Sequence, residues 1–338
     1  MTPTHRGPEL PTARGPLSRA VITLLRTDPA EDHEAALRPV PAEQDCWSED
    51  HQLALYLCYE LHYRGFAAVD ADWEWHPAQL RLRRALERPF LAELRARTGD
   101  RPSLHELLEQ LLVEPVDGSG PSYFLLEEGM RRQAQEYLMH RSLYHLKEAD
   151  PQAWVIPRLV GAAQAAYVAV EFDEYGAGRA ERAHSLLFAE MMADFGLEPT
   201  YGHYAEVAAA PALAVVNLMS LFGLHRALRG AAVGQFATVE ITSSPGSARL
   251  AKAFERLGAG PAGTLFYREH VEADAVHEQL VRHGVIRELL LSEPELEDDI
   301  AFGIAATGLV EDRFAAHLLE HWRRGDSSLR SVASGGAG

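Results

Sequence analysis

Between Phe266 and His277 the chain places His270, Asp274 and His277 at i, i+4 and i+7. A helix turns by about 100° per residue, so the three side chains project from one stripe roughly 60° wide. Two imidazoles and a carboxylate suit a first-row transition metal such as iron better than calcium or magnesium, which prefer oxygen donors. A second segment upstream runs from Glu171 to His184. Glu181 and His184 form an ExxH pair, neighbours on one helical face. Glu174 precedes Glu181 by seven residues. It lies about 20° away on the same stripe if the helix persists past Gly176 and Gly178. Together the two segments offer His184, His270, His277, Glu174, Glu181 and Asp274, a donor set large enough for two ions. A bundle also needs a carboxylate from a further helix to clamp such a cluster. Glu148, ending a helix before Pro151, fills that place, with Asp150 as its competitor.

These donors must be held by helices. The run 51–63 follows Ser48-Glu49-Asp50, which has N-cap chemistry, and Gly65 ends it. Residues 77–96, 103–112 and 129–149 continue the pattern. A very long helix is expected over 159–195, kinked at its glycines. Residues 211–228, 231–257 (broken near Ser243-Ser244-Pro245-Gly246), 263–283, 285–291 and 294–324 follow, with Pro211 at a first helical turn. Alternating strand patterns and Asn-Gly hairpins are missing. The fold class is all-α, a multi-helix bundle projecting its donors inward. Residues 1–45, with seven prolines, read as a mostly extended or flexible segment with one short helix near 17–26. Residues 46–125 read as an N-terminal helical region, 126–326 as the core, and 327–338 as a disordered Ser/Gly-rich tail.

Other polar residues have plainer explanations. His140 and His145 fit neither stripe and read as structural or as outer partners of the donors. His283 reads as a helix C-terminal cap. Glu171, Asp173, Glu269 and Glu272 read as a solvated face. Ser243 and Ser244 sit at the expected helix break, as N-caps or as substrate contacts. No GxSxG, P-loop or GxGxxG occurs, and no CxxC, which excludes zinc ribbons and iron–sulfur clusters.

The chain has 338 residues, is 47% hydrophobic and carries a net charge of −17. That charge disfavours nucleic acid and anionic membrane as partners. Two cysteines, Cys46 and Cys58, cannot make a disulfide framework and point to a reducing cytoplasm. No signal peptide and no span of about 18 apolar residues is evident.

Five motifs carry a resemblance: Lys147-Glu-Ala-Asp-Pro151, Ile156-Pro-Arg-Leu159, Asp173-Glu-Tyr-Gly176, Glu181-Arg-Ala-His184, and Glu269 to Glu278. Over about residues 45 to 325 the chain resembles the haem-oxygenase-like di-iron oxidases and oxygenases, the iron-containing redox enzymes. The resemblance implies a haem-oxygenase-like bundle with an N-terminal helical extension. It implies two iron ions held by Glu148, Glu181, His184, His270, Asp274 and His277, with O₂ as co-substrate. Members that oxygenate amine nitrogens look to carry one more carboxylate, a heptad before the ExxH pair, and Glu174 stands there. Glu174 would be an extra ligand to one iron and Glu181 would bridge or chelate, making both catalytic. Substrate would lie near Arg158, Tyr175, Ser243 and Ser244. The implied reaction is N-hydroxylation of an amine or guanidine of an amino-acid-like metabolite of specialised metabolism, through a peroxo-diferric intermediate. It would draw on an external electron donor, and a homodimer is compatible with it. Two alternatives remain: desaturation, decarboxylation or fragmentation of an aliphatic or amino acid, and a helical iron-binding or scaffold protein without O₂ chemistry.

Overall fold

A computed structural model describes residues 7–31, 33, 45–114 and 118–331, except the side chains of Glu272, Asp274 and Ala275. Its helices are α1 (Pro16–Leu25), α2 (Glu49–Glu60), α3 (Pro77–Arg97), α4 (Leu104–Leu111), α5 (Pro121–Glu127), α6 (Arg131–His145) and α7 (Asp150–Ala153). These are followed by α8 (Gly161–Glu174), α9 (His184–Asp194), α10 (Ala210–Leu224), α11 (Arg229–Arg256), α12 (Ala262–Gln279), α13 (Arg287–Ser292) and α14 (Glu297–Arg324). No strand occurs among the described residues, so the expected all-α class holds.

Local chemistry explains most boundaries. The Ser48 hydroxyl accepts from the His51 amide at 3.3 Å and starts α2, since a side-chain oxygen at this position satisfies an otherwise orphaned amide. Pro211 sits in the first turn of α10, where its missing N–H costs nothing. The short N-terminal helix forms as α1, and it is docked rather than loose. The Asp50 carboxylate accepts from the Leu17 and Ser18 amides, both at 2.8 Å. It thereby caps α1 from α2.

The centre of the bundle is built by α10, α11, α12 and α14. Residues Gly230–Ile241 of α11 are buried on nearly every side. Small residues let α11 approach α14: a Cβ on Gly234 would lie 2.1 Å from the Ile300 carbonyl oxygen, and one on Gly303 2.1 Å from that of Ala231. The Tyr167 ring of α8 packs on Phe236 of α11 at 4.3 Å between centroids, and both rings are buried. These contacts hold α8 and α11 in the places from which they face the candidate site.

Three expectations are corrected. The long helix over 159–195 does not form; α8 stops at Glu174 and α9 starts at His184. Gly176, Ala177 and Gly178 all take positive φ, at 85°, 52° and 79°. No right-handed helix permits such angles. A Cβ on Gly176 would meet the Arg179 carbonyl oxygen at 2.3 Å, so the reversal requires glycine there. Conversely, α11 runs unbroken through Pro245. Packing on its neighbours outweighs the single backbone hydrogen bond that the proline removes. Beyond α12 the helix widens into a π-helical turn, Leu280–Ile286, so His283 lies within a continuing helix and not at its end.

Ser328, in the segment read as tail, is buried and donates from Oγ to Glu136 Oε2 at 2.8 Å. Cys46 and Cys58 are buried free thiols. Among the described residues, no single helix is long and apolar enough to cross a membrane.

Candidate metal centre

Five elements converge on one buried polar cluster. The turn after α6 delivers Glu148, the last residue of α8 is Glu174, and the first of α9 is His184. α12 supplies His270 and His277, and α11 supplies Glu240. All six are at least nine-tenths buried.

The ligand atoms fall into two groups. Those of Glu148, Glu174, His184 and His270 lie within 4.8 Å of one another, and so do those of Glu174, Glu240 and His277. Glu174 belongs to both. Its Oε2 stands 2.6 Å from His184 Nδ1, and its Oε1 stands 3.6 Å from His277 Nδ1. One carboxylate therefore presents an oxygen to each group, as a bridging ligand does.

Neighbouring groups orient the imidazoles. His270 Nδ1 donates to the Phe266 carbonyl at 2.8 Å, which leaves Nε2 for the cluster, 3.8 Å from Glu148 Oε1. A hydrogen bond at one ring nitrogen fixes the tautomer and aims the other. His277 Nδ1 faces Glu240 Oε2 at 3.0 Å, and its Nε2 meets Asp173 Oδ2 at 3.3 Å. The His145 ring packs between Phe188 and Phe266 and sets Nδ1 2.8 Å from Glu148 Oε1. Burial would raise the Glu148 carboxyl, but its contacts with the His145 and His270 imidazoles hold it below the usual carboxylate range, because groups that pair with the ionised form favour it.

The set fits a cation. Glu148 and Glu174 pair with histidines and with no Lys or Arg among the described residues. The buried Glu148 Oε2 has no hydrogen-bond partner there. Buried carboxylates of this kind need positive charge, and mixed imidazole and carboxylate donors select iron or a similar metal.

The sequence-derived residues fare unequally. Glu148, Glu174, His184, His270 and His277 come together. The Asp274 side chain lies outside the described residues. Glu181 is not brought in: it is exposed on a 3₁₀ turn, Ala180–Arg182. The stripe that paired it with His184 assumed a helix that the glycine reversal ends. Glu174 reaches His184 instead, across the loop. Arg158 also lies elsewhere; its guanidinium donates to the Gly223 and Leu224 carbonyls and so caps α10. Tyr175 is half-exposed beside the site, its hydroxyl donating to Asp150 Oδ1 at 2.9 Å. Ser243 lines the cavity at the cluster, whereas the Ser244 hydroxyl donates to the Val271 carbonyl at 3.3 Å.

Glu240 belongs to no spacing pattern in the sequence, and neither do Glu171, His145 and Asp173. One signal for Glu240 was present: it is the lone acid in the apolar stretch from Gly230 to Ile241. Glu171 is not on a solvated face but buried.

Comparison with known proteins agrees with the geometry. Nitrosourea synthase from Streptomyces achromogenes subsp. streptozoticus is 25% identical over 159 residues, 47% of this chain and 34% of that protein. The alignment thus spans about a third of that relative's length. Residues 135–312, more than half of the chain, match the sequence profile of the iron-containing redox enzymes, with their haem-oxygenase-like fold. The chain, with its helical bundle and buried Glu/His cluster, belongs to the iron-containing redox enzyme family.

Proposed function

We propose that this protein is a non-haem di-iron, O₂-dependent oxygenase that N-hydroxylates an amine or guanidine of an amino-acid-like metabolite. The observation that carries the di-iron reading is the pair of ligand groups sharing Glu174. The nitrogen preference is supported by the relative whose name says it makes a nitrosourea, a compound with nitrogen bonded to oxygen.

Two ferrous ions would supply the electrons that reduce O₂. The chain's own residues do the rest. Glu148, His184 and His270 would hold one ion, and Glu240 and His277 the other, with Glu174 between them. Asp173 and the Phe266 carbonyl fix the imidazole orientations through the nitrogens that face away from the cluster, as outer partners of metal-ligating histidines do. Tyr144, Phe236 and Val239 cover the cluster. They exclude bulk water, which strengthens electrostatic interactions inside. Repeated turnover would require an external electron donor.

Anaerobic Fe(II) titration followed by O₂ addition tests this reading, with amines, guanidines, fatty acids and amino acids as substrates. Two irons per chain and hydroxylamine-type products from the nitrogen compounds are expected. Two irons with products of desaturation or carbon–carbon cleavage would overturn the N-hydroxylation but keep the di-iron reading. Trace iron with an intact fold would overturn both.

A further inference from the structure

Glu171 is 2% exposed, yet neither of its carboxyl oxygens has a hydrogen-bond partner among the described residues. It sits one turn before Glu174 on α8 and lines the cavity that borders the cluster, together with Tyr144, Glu148, Gln152, Glu174 and Glu240. That cavity measures about 10 Å³, room for about one water. Such a water would find polar partners, because the buried Glu148 Oε2 and Gln152 Oε1 on the cavity lining are also unpartnered among the described residues. The cavity thus joins the metal ligands on its walls to a buried carboxyl group that holds no partner of its own.

The surroundings of Glu171 define its charge state. Burial pushes its carboxyl well above the usual carboxylate range, and Glu174, Glu240, Asp150 and Glu148 push it the same way. Both influences disfavour the charged form. Two Fe(II) ions, with four positive charges, would more than offset the three ligand carboxylates, so in the loaded protein the neutral form rests on burial and on carboxyl oxygens that have no partner among the described residues. The phenols of Tyr144 and Tyr167 bring no positive charge. The π-helical turn packed along α8 carries His283 and Arg282, the latter bound to Glu278 Oε1 at 2.6 Å, and α13 carries Arg287 and Glu288; none is among the main influences on Glu171.

We propose that Glu171 delivers a proton, through a water in this cavity, to O₂ as it is reduced at the cluster. This rests on the di-iron reading above. O₂, two electrons (one from each of two Fe(II)) and two protons together make the equivalent of hydrogen peroxide, which would hydroxylate the substrate nitrogen and leave the second oxygen as water. Glu171 supplies one proton and becomes a carboxylate, solvent supplies the other, and Glu171 regains its proton between turnovers. The role differs from ligation: Glu171 acts on the chemistry without holding iron.

The test compares wild type, Glu171→Gln and Glu171→Asp, each loaded anaerobically with Fe(II). Glutamine keeps the shape but has no acidic proton; aspartate keeps the acid on a shorter arm. Infrared difference spectra of ¹³C-glutamate-labelled protein at pH 7 should show a protonated carboxylic acid band in wild type that Glu171→Gln lacks. Iron content should stay at two per chain in all three. Oxidation of Fe(II) by O₂ should slow on the order of 10²-fold in Glu171→Gln and lose its solvent deuterium isotope effect, with partial recovery in Glu171→Asp. A missing carboxylic acid band, or unchanged kinetics in Glu171→Gln, overturns the proposal. Loss of an iron from Glu171→Gln overturns it by making Glu171 a ligand. Fewer than two irons in wild type would instead overturn the di-iron reading, and the proposal with it.

Discussion

Lys147 and Glu148 are neighbours in the chain and enter two buried polar clusters of opposite character. Lys147 Nζ lies 2.7 Å from Glu60 Oε2 and 3.9 Å from the centre of the Tyr63 ring, while the Tyr201 hydroxyl donates to the other Glu60 oxygen. The charges of Lys147 and Glu60 match each other from two parts of the chain. One residue on, Glu148 joins Glu174 and Glu240, which pair with His145, His184 and His277. Burying opposite charges is tolerable when attraction and hydrogen bonds offset desolvation. Several buried carboxylates gathered around imidazoles need a cation from outside the chain. The Lys147 cluster is therefore structural: it ties the end of α6 to α2 and so sets the position of Glu148. The second cluster is built to be completed by metal.

The largest effect is expected on the metal side. Glu174→Gln removes a ligand from both groups, so iron binding should weaken beyond the roughly 10–100-fold typical of outer-shell partners. Iron content after anaerobic gel filtration measures this; a variant that keeps two irons would break the distinction between the clusters. On the structural side, Lys147→Met leaves Glu60 buried without its cation and should cost about 3–5 kcal/mol in denaturant unfolding. The double variant Lys147→Met/Glu60→Leu should recover much of that stability. Recovery of the Glu148 position should appear as restored iron binding in the same double variant.

Two smaller effects refine the contrast. His145→Ala frees Glu148 without removing a proposed ligand, and should weaken iron binding by roughly tenfold. His140 is a buried histidine of the structural kind, near Ser328 Oγ at 3.3 Å and against Phe314. Burial, with His317 nearby, lowers its pKa to about 3. The unfolded chain, with an ordinary histidine pKa of about 6.5, binds more protons between those values. Stability from the neutral His140 is therefore present above a pH of about 6.5 and lost as pH falls towards about 3. Between pH 7 and pH 5 the loss is about 2 kcal/mol, at about 1.4 kcal/mol per unit. His140→Asn should flatten this part of the unfolding profile. The smallest change is expected for Glu181→Gln, exposed and outside both groups, with stability within about 0.5 kcal/mol of wild type and iron binding unchanged.

The readable parts of the site are those on unbroken helices. His270 and His277 share a face because α12 is continuous through both, as their spacing requires. The Glu174–Glu181–His184 stripe fails because helical periodicity ends where Gly176 and Gly178 turn the chain back. Glu174 and His184 still meet, but through a loop geometry that no periodic pattern encodes. It also follows that Glu174 stands between the two groups rather than at the edge of one. Glu240 belongs to the site through the packing of α11 against α12, a long-range contact that spacing along one helix does not reveal. The fold class was plain from the helical periodicity, whereas the continuity of α11 through Pro245 depended on neighbours far away in sequence.

The most direct test of the central claim is a crystal structure of the Fe(II)-loaded protein with anomalous scattering recorded at the iron edge. Two iron peaks per chain are expected, on either side of the Glu174 carboxylate, one beside His184 and His270 and the other beside His277 and Glu240. A single peak, or iron bound by Glu181 with Glu174 turned away, would contradict that claim.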